Sequence, residues 1–154
     1  MESVGFSHYE ISNYAKNGKE SVHNNLYWSQ APYIGLGPAA HSYDGDRTRR
    51  WNIANIRQYI ENIRKGQVYY EKETLSPADR YNEIIMTRLR RKAGISTELL
   101  HSGMVAPFWG KMSGKAETYV ASGHAIYDSK GFRLTKEGWL ISDSIFRELF
   151  VDEE

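Results

Sequence analysis

Not one cysteine occurs in the 154 residues, and that absence decides what the chain must rely on to fold. Disulfides, thiolate zinc sites, thiolate nucleophiles and a cysteine-held iron–sulfur cluster are all excluded within it. A buried apolar core has to hold the fold, and the length suffices for one ordinary domain or two small ones. With 20 basic against 19 acidic residues the net charge is +1, so no global field draws the molecule onto a polyanion or an anionic bilayer. Nucleic acid is therefore an unfavoured partner from the outset. The stretch Met1-Glu2-Ser3-Val4-Gly5-Phe6 lacks the basic segment and apolar run of a signal peptide, and nothing later approaches ~18 uninterrupted apolar residues. A cytoplasmic protein without stable membrane insertion is expected.

Residues 5 to 11 place Phe6, His8 and Glu10 on one side and Ser7, Tyr9 and Ile11 on the other, the pattern of one buried strand. Asn17-Gly18 is a turn signal, and the polar run from Asn13 to Asn25 predicts a loop carrying His23 to Trp28. A second strand candidate covers Tyr33 to Leu36 and resumes at Ala40 to Tyr43, interrupted by Gly35, Gly37 and Pro38. Asp44-Gly45-Asp46 turns it into a returning strand, Arg47 to Asn52. Ile56, Tyr59, Ile60 and Ile63 recur at helical spacing before Gly66, and Val68 to Leu75 reads as an extended connector.

At Ser76-Pro77-Ala78-Asp79 the signals change. Ser76 suits a helix cap, Pro77 its first position and Asp79 its first turn. The predicted helix buries Tyr81, Ile84, Ile85 and Leu89 and ends at Gly94, with Arg88, Arg90, Arg91 and Lys92 where positive charge is favoured. Short helices follow at Thr97 to His101 and Ser113 to Ser122, then a hairpin with Asp128-Ser129-Lys130-Gly131 as its turn, then a helix capped by Thr135. The fold class expected is α/β or α+β, with domains at 1–74 and 75–154, the second of winged-helix-like order.

Four stretches carry a resemblance. Tyr9-Glu10-Ile11-Ser12-Asn13-Tyr14-Ala15, Gly35-Leu36-Gly37-Pro38-Ala39-Ala40-His41-Ser42-Tyr43 and Arg50-Trp51-Asn52 resemble the distal part of the HemN/HemW group of radical-SAM proteins in letters, order and spacing. His23-Asn24-Asn25-Leu26-Tyr27-Trp28 fits HNxxYW, which is similar to the motif marking the HemW subgroup and proposed there to bind haem. The second half, from Leu75 to about Phe150, resembles the group's small carboxy-terminal domain through Leu89-Arg90, Gly94-Ile95 and Leu134-Thr135-Lys136-Glu137-Gly138. Singly each motif is weak; in order they are specific.

The resemblance implies the distal strands and helix of a partial TIM-like radical-SAM barrel, followed by a small winged-helix-like domain. It implies a parent protein that binds S-adenosylmethionine and a 4Fe-4S cluster through a CxxxCxxC segment absent here, so the chain is expected to be an inert fragment by itself. Haem or porphyrin is the implied ligand and respiratory apoproteins the implied recipients. Unpaired ladder edges in such a fragment invite association, a homodimer included. Two other readings stand beside haem trafficking: a fragment of an oxygen-independent coproporphyrinogen III oxidase, in porphyrin biosynthesis, and a stand-alone winged-helix interaction module.

By residue type, a loop histidine such as His23 is a solvated or structurally bonded side chain; the resemblance makes it an axial ligand to haem iron. Tyr27 and Trp28 would then lie against the porphyrin face, and Asn24 and Asn25 would fix the imidazole tautomer or meet a propionate. Gly35, Gly37 and His41 are placed by the resemblance near the S-adenosylmethionine or porphyrin pocket. The alternative for these glycines is a tight bend packing strand on strand, and they form no phosphate loop, because Ala40 breaks GxGxxG and no Lys-Ser/Thr follows. Arg47, Arg49 and Arg50 are either solvated or a propionate contact. The helix at 113 to 122 carries only Lys115 and Glu117 as charges, too few to neutralise many phosphates. His101 and His124 lie in different elements without a carboxylate at ligand spacing.

Overall fold

A computed structural model describes residues 2–16 and 18–152; Asn17 of the expected Asn17-Gly18 turn lies outside the described residues. The fold is mixed α/β with three small antiparallel sheets, and the chain parts into two compact units, 1–29 with 77–154 and 30–76. The segment preceding Gln30 thus packs with the residues that follow Ser76.

In the first unit, β1 (Phe6–Glu10) pairs antiparallel with β2 (Asn13–Lys16), and α1 (Val22–Trp28) follows. A capped α1 stands where the polar composition predicts a loop. After Ser76 come α3 (Pro77–Leu89), β6 (Ile95–Ser96), α4 (Thr97–Leu100), α5 (Ala106–Ala121), β7 (Ala125–Asp128), β8 (Gly131–Leu134), α6 (Lys136–Leu140) and α7 (Ser142–Leu149). The three strands form a sheet in the order β6-β8-β7. The core is the inward stripe of α3, Tyr81, Ile84, Ile85 and Leu89, closed over by Trp109, Phe132, Leu134, Trp139, Ile145 and Leu149. Helix α5 starts seven residues before the expected Ser113, at Ala106, with Pro107 in its first turn. The last helix is broken at Ile141, so Thr135 caps only α6.

Directional bonds fix these pieces to one another. Trp139 Nε1 donates to the Leu89 carbonyl at 3.0 Å. The Asn82 side-chain amide donates to the Val151 carbonyl at 2.8 Å and accepts from its N–H at 2.9 Å. Strand β1 is held by Ile11 N–H to the Arg90 carbonyl, 2.9 Å, and Lys92 N–H to the Tyr9 carbonyl, 3.0 Å. The His8 ring stacks on Tyr14 at 4.1 Å and meets Trp139 edge-on at 4.6 Å.

In the second unit β3 (His41–Tyr43), β4 (Thr48–Asn52) and β5 (Tyr70–Thr74) form an antiparallel sheet in that order, with α2 (Ile56–Arg64) between β4 and β5. The Asp44-Gly45-Asp46 turn and the returning strand are as the sequence reads. The expected connector at Val68 to Leu75 gains a strand only because β4 offers it a partner along its whole length. Helix α2 is capped by Asn55, whose side chain accepts from Gln58 N–H at 3.1 Å.

Candidate functional site

Helix α1 carries the HNxxYW motif. Its start is set by Ser21, whose Oγ accepts from Asn24 N–H at 3.2 Å, and its end by Ser29, whose N–H donates to the Asn25 carbonyl and whose Oγ donates to the Leu26 carbonyl. Asn24 and Asn25 favour turns over helix interiors, but Ser21 satisfies an end donor they would otherwise leave open. Helical spacing then sorts the motif into two faces. Val22, His23, Leu26 and Tyr27 point outward, with Val22, Leu26 and Tyr27 exposed by 74%, 54% and 55%. Asn24, Asn25 and Trp28 turn inward and are half-buried. The Trp28 ring lies 6.0 Å from the Arg90 guanidinium and edge-on to Tyr27 at 5.1 Å. Its Nε1 is buried without a partner among the described residues. The motif therefore presents one imidazole in an outward patch of aliphatic and aromatic surface, and keeps its indole inside.

In the second unit the glycine segment is a clamped bend. Gly35 N–H donates to Ser42 Oγ at 3.0 Å, and the buried Asn52 amide donates to the carbonyls of Gly37 at 2.8 Å and Gly35 at 3.3 Å. Gly37 N–H reaches Tyr59 Oη at 3.3 Å. A Cβ at Gly35 would run into the backbone carbonyl of His41, so close approach of chain to chain accounts for that glycine. Gly37 has φ +98°, where side chains are rarely accommodated. His41 is exposed, 6.3 Å from the Trp51 ring, whose Nε1 donates to Glu71 at 3.1 Å. A cavity of about 720 Å³ is lined by Tyr33, Ser42, Tyr43, Asp44, Thr48 and Arg50 among others, and not by His41. Arg50 lies 5.2 Å from the Tyr70 ring, Arg49 lies 5.9 Å from the Tyr43 ring, and Arg47 Nε donates to the Leu75 carbonyl at 3.2 Å.

His23, Asn24, Tyr27 and Trp28 thus share one short helix of the first unit, while Gly35, Gly37 and His41 belong to the second. Sequence reasoning quoted Ser42 and Asn52 within their motifs without seeing that they hold the glycine bend. Across the register no periodicity links position 35 to 42 or 52. It also set aside Arg91 and Lys92, which line a second cavity, of about 390 Å³, together with Asn25.

Residues 75–141 match the family model of the HemN C-terminal domain. The chain is 32% identical over 147 residues to the heme chaperone HemW of Bacillus subtilis, covering 95% of this chain and 38% of that protein. It is 29% identical over 168 residues to the mitochondrial radical S-adenosyl methionine domain-containing protein 1 of Danio rerio, covering 100% of this chain and 37% of the relative. The fold matches that of the radical SAM enzyme coproporphyrinogen III oxidase (HemN) of Escherichia coli with a TM-score of 0.69 at 16% identity, over 97% of this chain and 38% of that one. Fold and motifs together define a chain that carries a HemN-type carboxy-terminal domain. It belongs to the HemW-like radical-SAM family and corresponds to that family's carboxy-terminal portion. The chain spans well under half the length of the curated relatives it matches.

Proposed function

We propose that this chain provides the cargo-facing surface of a haem-handling, HemW-like protein, with His23 as an axial ligand to haem iron. The observation that carries the reading is the exposed imidazole of α1 set among exposed Val22, Leu26 and Tyr27. A flat macrocycle needs one basic nitrogen and an apolar bed to cover, and this face supplies both. The name of the B. subtilis relative points the same way. Trp28 serves as the inward anchor of the helix, not as a second plate against the porphyrin. In the parent protein, S-adenosylmethionine and a 4Fe-4S cluster belong to parts that supply cysteines, since this chain has none. In this reading β1 to β5 are the distal strands of a partial barrel, and the residues after Ser76 are a winged-helix-like accessory domain.

Titration of the chain with ferric haem, followed at the Soret band, tests the proposal. Wild type is expected to give a shifted, saturating band and His23→Ala to lose the shift. Identical spectra for the two proteins would remove His23 as the ligand. The fold likeness to coproporphyrinogen III oxidase favours a second reading, in which the parent decarboxylates a porphyrinogen. Efficient turnover of coproporphyrinogen III by the cluster-bearing full-length protein would establish it in place of the first.

A further inference from the structure

The end of α3 and the turn that follows it gather Arg88, Arg90, Arg91 and Lys92, and the ordinary explanation is that cations answer the open carbonyls of a helix end. Here the carbonyls of residues 88–91 are already taken. Arg88 accepts from Arg91 N–H, Leu89 from Trp139 Nε1, Arg90 from Ile11 N–H and Arg91 from Gly94 N–H. Among the described residues neither Arg91 nor Lys92 forms an ion pair. Both residues instead line the cavity of about 390 Å³ between β1, α1 and the turn after α3, whose other walls are Ser7, Tyr9, Glu20, Asn25 and Ala93. Two cations face one carboxylate there, and three neutral side chains add hydrogen-bonding groups.

We propose that this cavity binds a small oxyanion, a carboxylate or phosphate group, held by Arg91 and Lys92 and hydrogen-bonded by Asn25 and the hydroxyls of Ser7 and Tyr9. The guanidinium fork matches two oxygens of such a group, and the ammonium adds a point charge. The volume lies within the span of ordinary small-molecule pockets, roughly 300–1,000 Å³. Positive charge is also in excess around the cavity: the Arg88 guanidinium is pushed below its ordinary pKa, first by burial and then by the charge of Arg91, and its Nε is buried with no acceptor among the described residues. An anion beside Arg91 relieves that repulsion. The site lies on the inward side of α1, marked by Asn25, and so does not depend on haem at His23.

The test is an NMR titration of the whole chain with sodium phosphate and, separately, sodium acetate at fixed ionic strength, because a screening effect is not binding. Saturating shifts are expected at the Lys92 and Ala93 amides and the Asn25 side chain. Arg91→Gln with Lys92→Gln should weaken the apparent affinity at least tenfold, Asn25→Ala should weaken it without changing the charge, and Lys130→Gln on the β7–β8 turn should leave it unchanged. Saturation by phosphate alone assigns phosphoryl groups, by acetate alone carboxylates, and by both the shared oxyanion. Shifts that rise linearly, or that persist unchanged in a folded double variant, overturn the proposal.

Discussion

Tyr81 is wholly buried in the first unit's core, and its hydroxyl has no hydrogen-bond partner among the described residues. Burial pushes the phenol well above its ordinary pKa, because an anion there would lose its hydration without compensation. Even the neutral hydroxyl is costly: an unsatisfied buried polar group costs about 1–3 kcal/mol. Tyr81→Phe removes that group and keeps the ring against Phe108, 5.2 Å away. Its chemical denaturation midpoint is therefore expected at or above that of wild type. A clear fall in midpoint would mean that the hydroxyl is bonded after all. Gly35 is the opposite case, a position where one added carbon does harm. The Cβ of Gly35→Ala would meet the His41 carbonyl, and relief by backbone movement costs about 1–3 kcal/mol, as overpacking does elsewhere. Faster amide exchange in β3 and β4 should report it. Exchange as slow as in wild type would show that the bend does not press on β3.

Two hairpins are closed by aspartates that must be ionised to do so. Asp44 accepts from the N–H groups of Asp46 at 2.8 Å and Thr48 at 3.0 Å, and these bonds, that to Thr48 foremost, hold its pKa down at about 2. Asp128 pairs bidentately with Arg133 at 2.9 and 2.7 Å and accepts from Lys130 N–H; its pKa is likewise lowered to about 2, with Arg133 as the first cause. A carboxylate whose folded pKa is depressed stabilises fully above its unfolded value near 3.8, and that contribution fades as pH falls towards the folded value. Both turns should thus hold at pH 5 and loosen between about pH 4 and pH 2. Carboxyl carbon shifts followed by NMR would check this, and titration midpoints near 4 would contradict it. The β4 hairpin was legible because Asp44-Gly45-Asp46 is local turn chemistry. Strand β5 was not, since its outward residues make a strand only through β4, and that pairing is non-local. Helix α1 was missed for a third reason. Histidine and two asparagines lower its propensity, and the signal that outweighs them is the single serine at position 21. The outward face of the candidate site went unseen with it, because Val22 and Leu26 share a side with His23 only once the segment is helical.

At the scale of the whole chain the two units have unequal means of staying folded. Residues 30–76 fully bury only Ser42, Tyr43, Asn52 and Leu75, and α2 leaves Ile56, Ile60 and Ile63 exposed. Units much below about 60 residues are marginal unless a disulfide, a metal or a partner supports them, and no cysteine is present to form the first. The other unit shares one continuous apolar cluster running from Tyr81 to Leu149. Opening free energies should therefore differ. Hydrogen exchange followed by mass spectrometry is expected to show β3, β4 and β5 exchanging through an opening that leaves α3, β8 and α7 protected. Calorimetry should likewise give a van't Hoff enthalpy below the calorimetric one, since two units that melt apart break the two-state condition. If both sets of amides instead exchange at one common free energy, the 30–76 sheet draws its stability from the same cooperative unit as α3.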